Sequence, residues 1–112
     1  MPRVLWRGNV LQNCDMLTLT YRPFFRTLAN DTRLRILHFL AEHGTACVSD
    51  IVAGAGLRQS TVSVNLQQLL QCRFVRLVRQ GREHCYSLNA ETIRPLLRLL
   101  DRHVEKYCQE CR

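Results

Sequence analysis

The sequence predicts a mainly α winged helix. A helix-turn-helix is followed by a two-stranded β wing, with a further helix at each end of the chain. Three observations carry this. Residues 31–44, 59–71 and 91–107 repeat apolar side chains at helical spacing. Gly54-Ala55-Gly56 interrupts the chain just ahead of the second of these segments, as a turn between two helices does. "FVRLVRQGREHCYSL" then alternates and reverses at Gln80-Gly81, the pattern of a hairpin.

The elements follow in chain order. Residues 1–15 read as an N-terminal arm, and residues 16–112 as one winged helix-turn-helix domain. Met16 to Leu28 is a helix limited or bent by Pro23. Asp31 is the expected N-cap of the next helix, whose stripe is Leu34, Ile36, Leu37, Leu40 and Ala41, and Gly44 stops it. "TACV" is a short strand. Ser49 is the expected cap of a brief helix through Ile51, Val52 and Ala53, with Asp50 at its positive end.

The following helix, Gln59 to Gln71, turns Val62, Leu66, Leu69 and Leu70 to one face. Val75, Leu77, Cys85, Tyr86 and Leu88 mark the hairpin strands. The last helix, from about Glu91 to Tyr107, carries Ile93, Leu96, Leu97, Leu100, Val104 and Tyr107. Leu99 and His103 widen that stripe beyond what one core needs, which predicts packing against a second chain.

Charge points to the partner. Sixteen Lys and Arg face nine Asp and Glu, giving +7, and all but Lys106 of the basic residues are Arg. Arg is suited to bidentate contact with phosphates and guanine edges, so nucleic acid is the expected acidic partner. On the second helix of the pair, Gln59, Ser60, Thr61, Ser63 and Asn65 lie off the apolar stripe, flanked by Arg58 and Gln68. Such polar side chains reach base edges and phosphates from a major groove. The hairpin adds Arg76, Arg79 and Arg82 around Gly81. An Arg at a wing tip can follow a phosphate or enter the minor groove.

The N-terminal segment "MPRVLWRGNVLQNCD" lacks a signal peptide's apolar run, and no segment is apolar enough to span a bilayer. A cytoplasmic protein without a membrane partner is expected, its six cysteines mostly reduced. No Ser/His/Asp arrangement, Gly-rich phosphate loop or paired carboxylates suggest an enzyme.

The stretches "FFRTLANDTRLRIL", "VSDI", "QSTVSVNLQQL" and "VRLVRQGREHCYSL" resemble the arsenic-repressor/SmtB-like (ArsR/SmtB) winged-helix repressors over about residues 20–107. The resemblance implies a homodimer built from the first and last helices. It implies binding to double-stranded operator DNA at an imperfect inverted repeat, with no cofactor required, and release by an inducer. Arg58 departs from the small polar cap usual before the recognition helix.

The family's sensing sites supply expectations about that inducer. One type uses Asp and His ligands on the last helix. Counted from Tyr86, the equivalents here are Ala90, Thr92, His103 and Lys106, of which only His103 can ligate. His103 therefore reads as a partly buried or interface histidine. A second type uses thiolates before the helix turn, and there Cys47 matches the first cysteine while Ser49 replaces the second. Cys14 on the arm offers another thiolate.

The tail "YCQECR" adds Cys108 and Cys111, three residues apart and on one face of a continuing helix. Two thiols so spaced can chelate one soft ion. A third completes a trigonal sulfur site, which the resemblance associates with As(III) or Sb(III). An organoarsenical needs only two. The expected site set is Cys108, Cys111, Cys47 and Cys14, while Cys72 and Cys85 read as structural. The alternative is a redox or reactive-sulfur sensor in which paired cysteines form a disulfide or polysulfide bridge.

Overall fold

Five helices and three strands pack around one core in the computed structural model, which describes residues 14–108. The arm through residue 13 and the tail from residue 109 lie outside the described residues, and Cys111 falls with them.

Helix α1 spans Cys14–Leu28 and contains Pro23 without breaking. It therefore starts inside the segment read as the arm. The hydroxyl of Thr27 donates to the Pro23 carbonyl at 2.9 Å, a local bond one turn along the helix.

Helix α2 spans Asp31–His43. Its N-cap is Asn30, not the expected Asp31. Asn30 is extended at φ −150 and ψ 124, and its side-chain oxygen accepts from the Arg33 N–H at 3.0 Å. Asp31 becomes the first helical residue, where its charge meets the positive end of the helix dipole.

Strand β1 is Ala46–Cys47 and runs directly into helix α3, Val48–Ala55. The cap again falls earlier than expected. Cys47 is the N-cap and Ser49 is the helix's second residue, exposed to solvent. The Asp50 carboxylate accepts from the Cys47 N–H at 3.0 Å, so the chain entering the helix is tied by Asp50. Gly56 takes the left-handed conformation, at φ 67 and ψ 39, and ends α3.

Helix α4, Gln59–Gln71, begins at Arg58, which is extended and makes no side-chain cap bond. It ends in a Schellman turn. The Phe74 N–H bonds the Leu69 carbonyl at 2.9 Å and the Arg73 N–H bonds the Leu70 carbonyl at 3.1 Å. The left-handed residue of that turn is Arg73, at φ 63, where glycine is usual. Phe74 and Leu69 both enter the core, the apolar contact that accompanies this motif.

Strands β2, Val75–Gln80, and β3, Glu83–Leu88, form the wing. The sheet has three strands, in the order β1-β3-β2 and antiparallel throughout, so the two-stranded wing gains β1 as an outer partner. Ala46 pairs with Tyr86 and Cys47 with Cys85. Helix α5, Ile93–Tyr107, closes the fold.

The core draws on the predicted stripes, although Leu34, Ala41 and Leu77 of those stripes are exposed. Ile36, Leu37 and Leu40 meet Ile51, then Val62, Leu66 and Leu69, then Phe74, Val75, Tyr86, Leu88 and Ile93. Within α5 only Ile93 is buried. Leu99, Leu100, Val104 and Tyr107 remain exposed, as do Leu19 and Phe25 on α1. Such a helix has an apolar face that the described residues leave uncovered.

Candidate nucleic-acid interface and thiol sites

Helix α4 is anchored from below by Arg33 of α2. The Arg33 Nε donates to Asn65 Oδ1 at 3.1 Å, Nη2 donates to Gln68 Oε1, and Nη1 donates to the Thr27 carbonyl at 3.3 Å. Asn65 Nδ2 donates to the Thr61 carbonyl at 2.8 Å. Asn65 and Gln68, named from the sequence as DNA contacts, are therefore both bonded to Arg33, with Asn65 half-buried and Gln68 exposed. One planar guanidinium fixes the rotation of α4 and links it to α1 and α2.

Arg58, Gln59 and Ser60 are exposed at the start of α4, and Thr61 and Ser63 are half-buried beside them. Val64 shares the solvent side and is 59 % exposed. It was not singled out in the sequence, although an apolar residue off the buried stripe was the available signal. A methyl-bearing side chain on this face can contact a thymine methyl.

In the wing, Arg76, Arg79 and Arg82 are exposed, and Gly81 at φ 65 makes the tip. Arg76 Nη2 donates to Asn89 Oδ1 at 3.3 Å. Helix and wing meet at a cavity of about 470 Å³ lined by Cys47, Val48, Ser49, Val52, Gln59, Arg82, Glu83 and His84. Gln59 of the recognition helix and Arg82 of the wing thus border one concavity.

The cysteines are arranged differently from the expected set. Cys47 lies against Cys85, 38 residues along the chain, and the two are joined as a disulfide with Cα atoms 3.8 Å apart. Cys85, read as structural, is the thiol that meets Cys47. Cys85 is fully buried and Cys47 is 7 % exposed. Gln80 Oε1 lies 3.7 Å from the Cys85 sulfur and 4.0 Å from the Cys47 sulfur. With Glu83, the two cysteines form a group whose ligand atoms lie within 4.8 Å of one another and could hold a metal ion.

Cys72 is exposed and not packed, correcting its reading as a structural small residue; its sulfur lies 3.8 Å from the Thr27 hydroxyl. Cys108 is a free, half-buried thiol at the end of α5. The side chain of Cys14 lies outside the described residues. His103 is exposed, its ring 5.2 Å from that of Tyr107. That places it on the uncovered face of α5 and not in the core of one protomer.

A recognition helix docked on a buried core, a preceding helix that braces it and an arginine-bearing wing define a winged-helix DNA-binding regulator. Residues 30–76 match the family model described as bacterial regulatory protein, arsR family. The chain belongs to that family of transcriptional regulators.

Its relatives share the fold and much of the chain. A probable mercury resistance operon repressor from Streptomyces lividans is 37% identical over 80 residues, covering 71% of this chain and 63% of that protein. The chain thus spans less than two thirds of that relative's length. The arsenical resistance operon repressor of Bacillus subtilis (strain 168) is 32% identical over 77 residues, 69% of this chain and 73% of that protein.

The crystal structure of the AntR antimony-specific transcriptional repressor superposes with a TM-score of 0.71 at 32% identity, covering 98% of this chain and 96% of that one. A homodimeric winged helix-turn-helix DNA-binding domain from Mycobacterium bovis gives a TM-score of 0.74 at 28% identity, covering 91% and 93%.

Proposed function

We propose that the protein is a homodimeric repressor that holds an imperfect inverted repeat of operator DNA and releases it when cysteine thiolates capture a thiophilic ion. Arsenite, antimonite or an organoarsenical is the inducer class. The observation that carries the DNA reading is the shared cavity border. Gln59 at the start of the recognition helix and Arg82 at the wing tip lie on one surface, so one stretch of duplex can meet both. Arg58, Gln59, Ser60, Thr61 and Ser63 address the major groove, and Arg79 and Arg82 address the phosphates or minor groove beside it. Asn65 and Gln68 contribute by holding the helix.

The dimer buries the uncovered faces of α1 and α5, which the homodimeric Mycobacterium bovis relative supports. The inducer reading is supported by relatives named for mercury, arsenicals and antimony. Cys108 with Cys111 is the first thiol pair for it, with Cys47 or Cys14 as a third donor. Thiolate capture shifts a two-state dimer away from the recognition-helix spacing that fits two half-sites. No described helix is long and apolar enough to cross a membrane, and we place the protein in the cytoplasm with its operator.

The test is operator binding in a fluorescence-anisotropy titration, with and without arsenite or antimonite, on wild type and on Cys108→Ser/Cys111→Ser. Release of the wild type and retention by the variant are expected. An identical response in both removes the tail pair from the mechanism. Steep loss of affinity with salt is also expected, and its slope should fall by about one when Arg82 becomes Ala.

A further inference from the structure

We infer that Cys47 and Cys85 form a second thiol site at the base of the wing, whose ligand is a trivalent mono-organoarsenical. The inference deepens the proposed function and rests on its reading of a thiol-controlled repressor. Four observations support it. The two cysteines oppose each other across the β1–β3 ladder, which puts both side chains on one face of the sheet. Their sulfurs meet there. Cys47 borders the cavity between α3, α4 and the wing, whereas Cys85 lies behind it, fully buried. Val48 and Val52 give that cavity an apolar wall.

The donor set selects the ligand. Among the described residues only these two sulfurs converge, together with the Glu83 carboxylate. A hard, exposed oxygen is a poor third ligand for a soft centre, so arsenite seeking three thiolates is not served. A mercuric ion held by two thiolates prefers them on opposite sides, whereas this pair presents both sulfurs from one sheet face. A pyramidal arsenic with one carbon substituent needs two adjacent thiolates. Its third group then projects toward the cavity and its valine wall.

Where the two sulfurs are bonded, a thiol reductant opens them first by thiol–disulfide exchange, ending as its own disulfide and leaving Cys47 and Cys85 as two thiols. Cys47, at the cavity wall, reacts first and Cys85 closes the ring. In R–As(OH)2 both arsenic–oxygen bonds break and two arsenic–sulfur bonds form. The two thiol protons leave with the hydroxyls as water. Arsenic stays trivalent and no electron is transferred.

The consequence for DNA follows from the other cavity walls. The substituent on arsenic sits between Gln59 and Arg82, the residues proposed to face the duplex from helix and wing. Ligand and operator thus compete for the same two side chains, which gives release the sign of induction.

The experiment uses phenylarsonous acid on the full-length protein kept reduced with a phosphine. Operator affinity should fall roughly tenfold or more, within the usual range of coupled sites. Peptide mapping should find a phenylarsenic bridge between the peptides carrying Cys47 and Cys85, in addition to any bridge carried by the tail pair. Cys85→Ala should lose the Cys47–Cys85 bridge and weaken the release by phenylarsonous acid, and Cys108→Ser/Cys111→Ser should keep that bridge. The map on wild type decides the matter even where Cys85→Ala folds poorly.

A bridge found on the tail cysteines and none between Cys47 and Cys85 overturns this site while leaving the repressor reading intact. So does a Cys47–Cys85 bond that the phosphine cannot open. Failure of both arsenite and phenylarsonous acid to release the wild type overturns the thiol-controlled reading and this site with it.

Discussion

Replacing Arg33 with Met should loosen the recognition helix from its base. The methionine keeps an apolar stem of similar reach but removes the guanidinium. Three bonds disappear: to Asn65 Oδ1 at 3.1 Å, to the Thr27 carbonyl at 3.3 Å and to Gln68 Oε1. Net contributions of such bonds are about 0.5–1.5 kcal/mol each, and the site is only partly buried, so a total loss of about 2 kcal/mol is expected. For a chain of this size that corresponds to a fall in Tm of roughly 8–16 °C. Urea unfolding followed by circular dichroism measures the free energy directly.

The same titration on Asn65→Ala and on the double variant completes a cycle. Coupling of about 0.5–1.5 kcal/mol is expected between Arg33 and Asn65. Operator affinity should drop further than stability alone explains, because α4 loses the contact that sets its rotation. Strict additivity of the two substitutions, with Tm unchanged in Arg33→Met, would refute the bracing role.

Other outcomes are accessible with the same protein. Leu66→Ala empties a fully buried position under the recognition helix and should cost about 3 kcal/mol by urea unfolding. Gly54→Ala should destabilise by about 1–3 kcal/mol, since a Cβ there collides with the Phe39 ring, with Cζ at 2.8 Å and Cδ2 at 2.9 Å. A neutral effect of Gly54→Ala would mean that the ring moves freely. Val104→Glu places a charge on the uncovered face of α5 and should convert the dimer to monomer in sedimentation experiments. An unchanged sedimentation coefficient would move the interface elsewhere.

Much of the fold was legible because helical and alternating periodicities report burial directly. Val62, Leu66 and Leu69 are spaced for a helix, and they are the buried residues of α4. Caps were harder, since Asn30 and Asp31 are both good caps and one residue of shift costs little. At α3 the Asp50 bond to the Cys47 N–H moves the helix start ahead of Ser49. The exposed polar face of α4 was legible as a face but not residue by residue. Asn65 lies off the apolar stripe, yet Arg33, 32 residues earlier, claims it. The Cys47–Cys85 pairing depends on the register of a two-residue strand against the wing, and no local pattern records a register at a separation of 38 residues.

The Schellman turn at Arg73 has a bearing on how such a protein can switch. Only Cys72, Arg73 and Phe74 separate the recognition helix from the first wing strand, and backbone bonds to Leu69 and Leu70 hold that elbow. These backbone bonds tie the end of the recognition helix to the root of the wing, so the two can serve as a single stencil. In the proposed dimer, a signal read at the end of α5 would therefore meet a helix and wing tied together by these bonds. Under the proposed function, such a signal would act by sliding one helix-and-wing unit relative to that of the partner, changing their phase along the duplex. A glycine at residue 73 would relieve the left-handed strain by about 1 kcal/mol and give the elbow freedom it now lacks. That gain in stability would come with a blurred half-site spacing, and an arginine in the strained position keeps the angle defined.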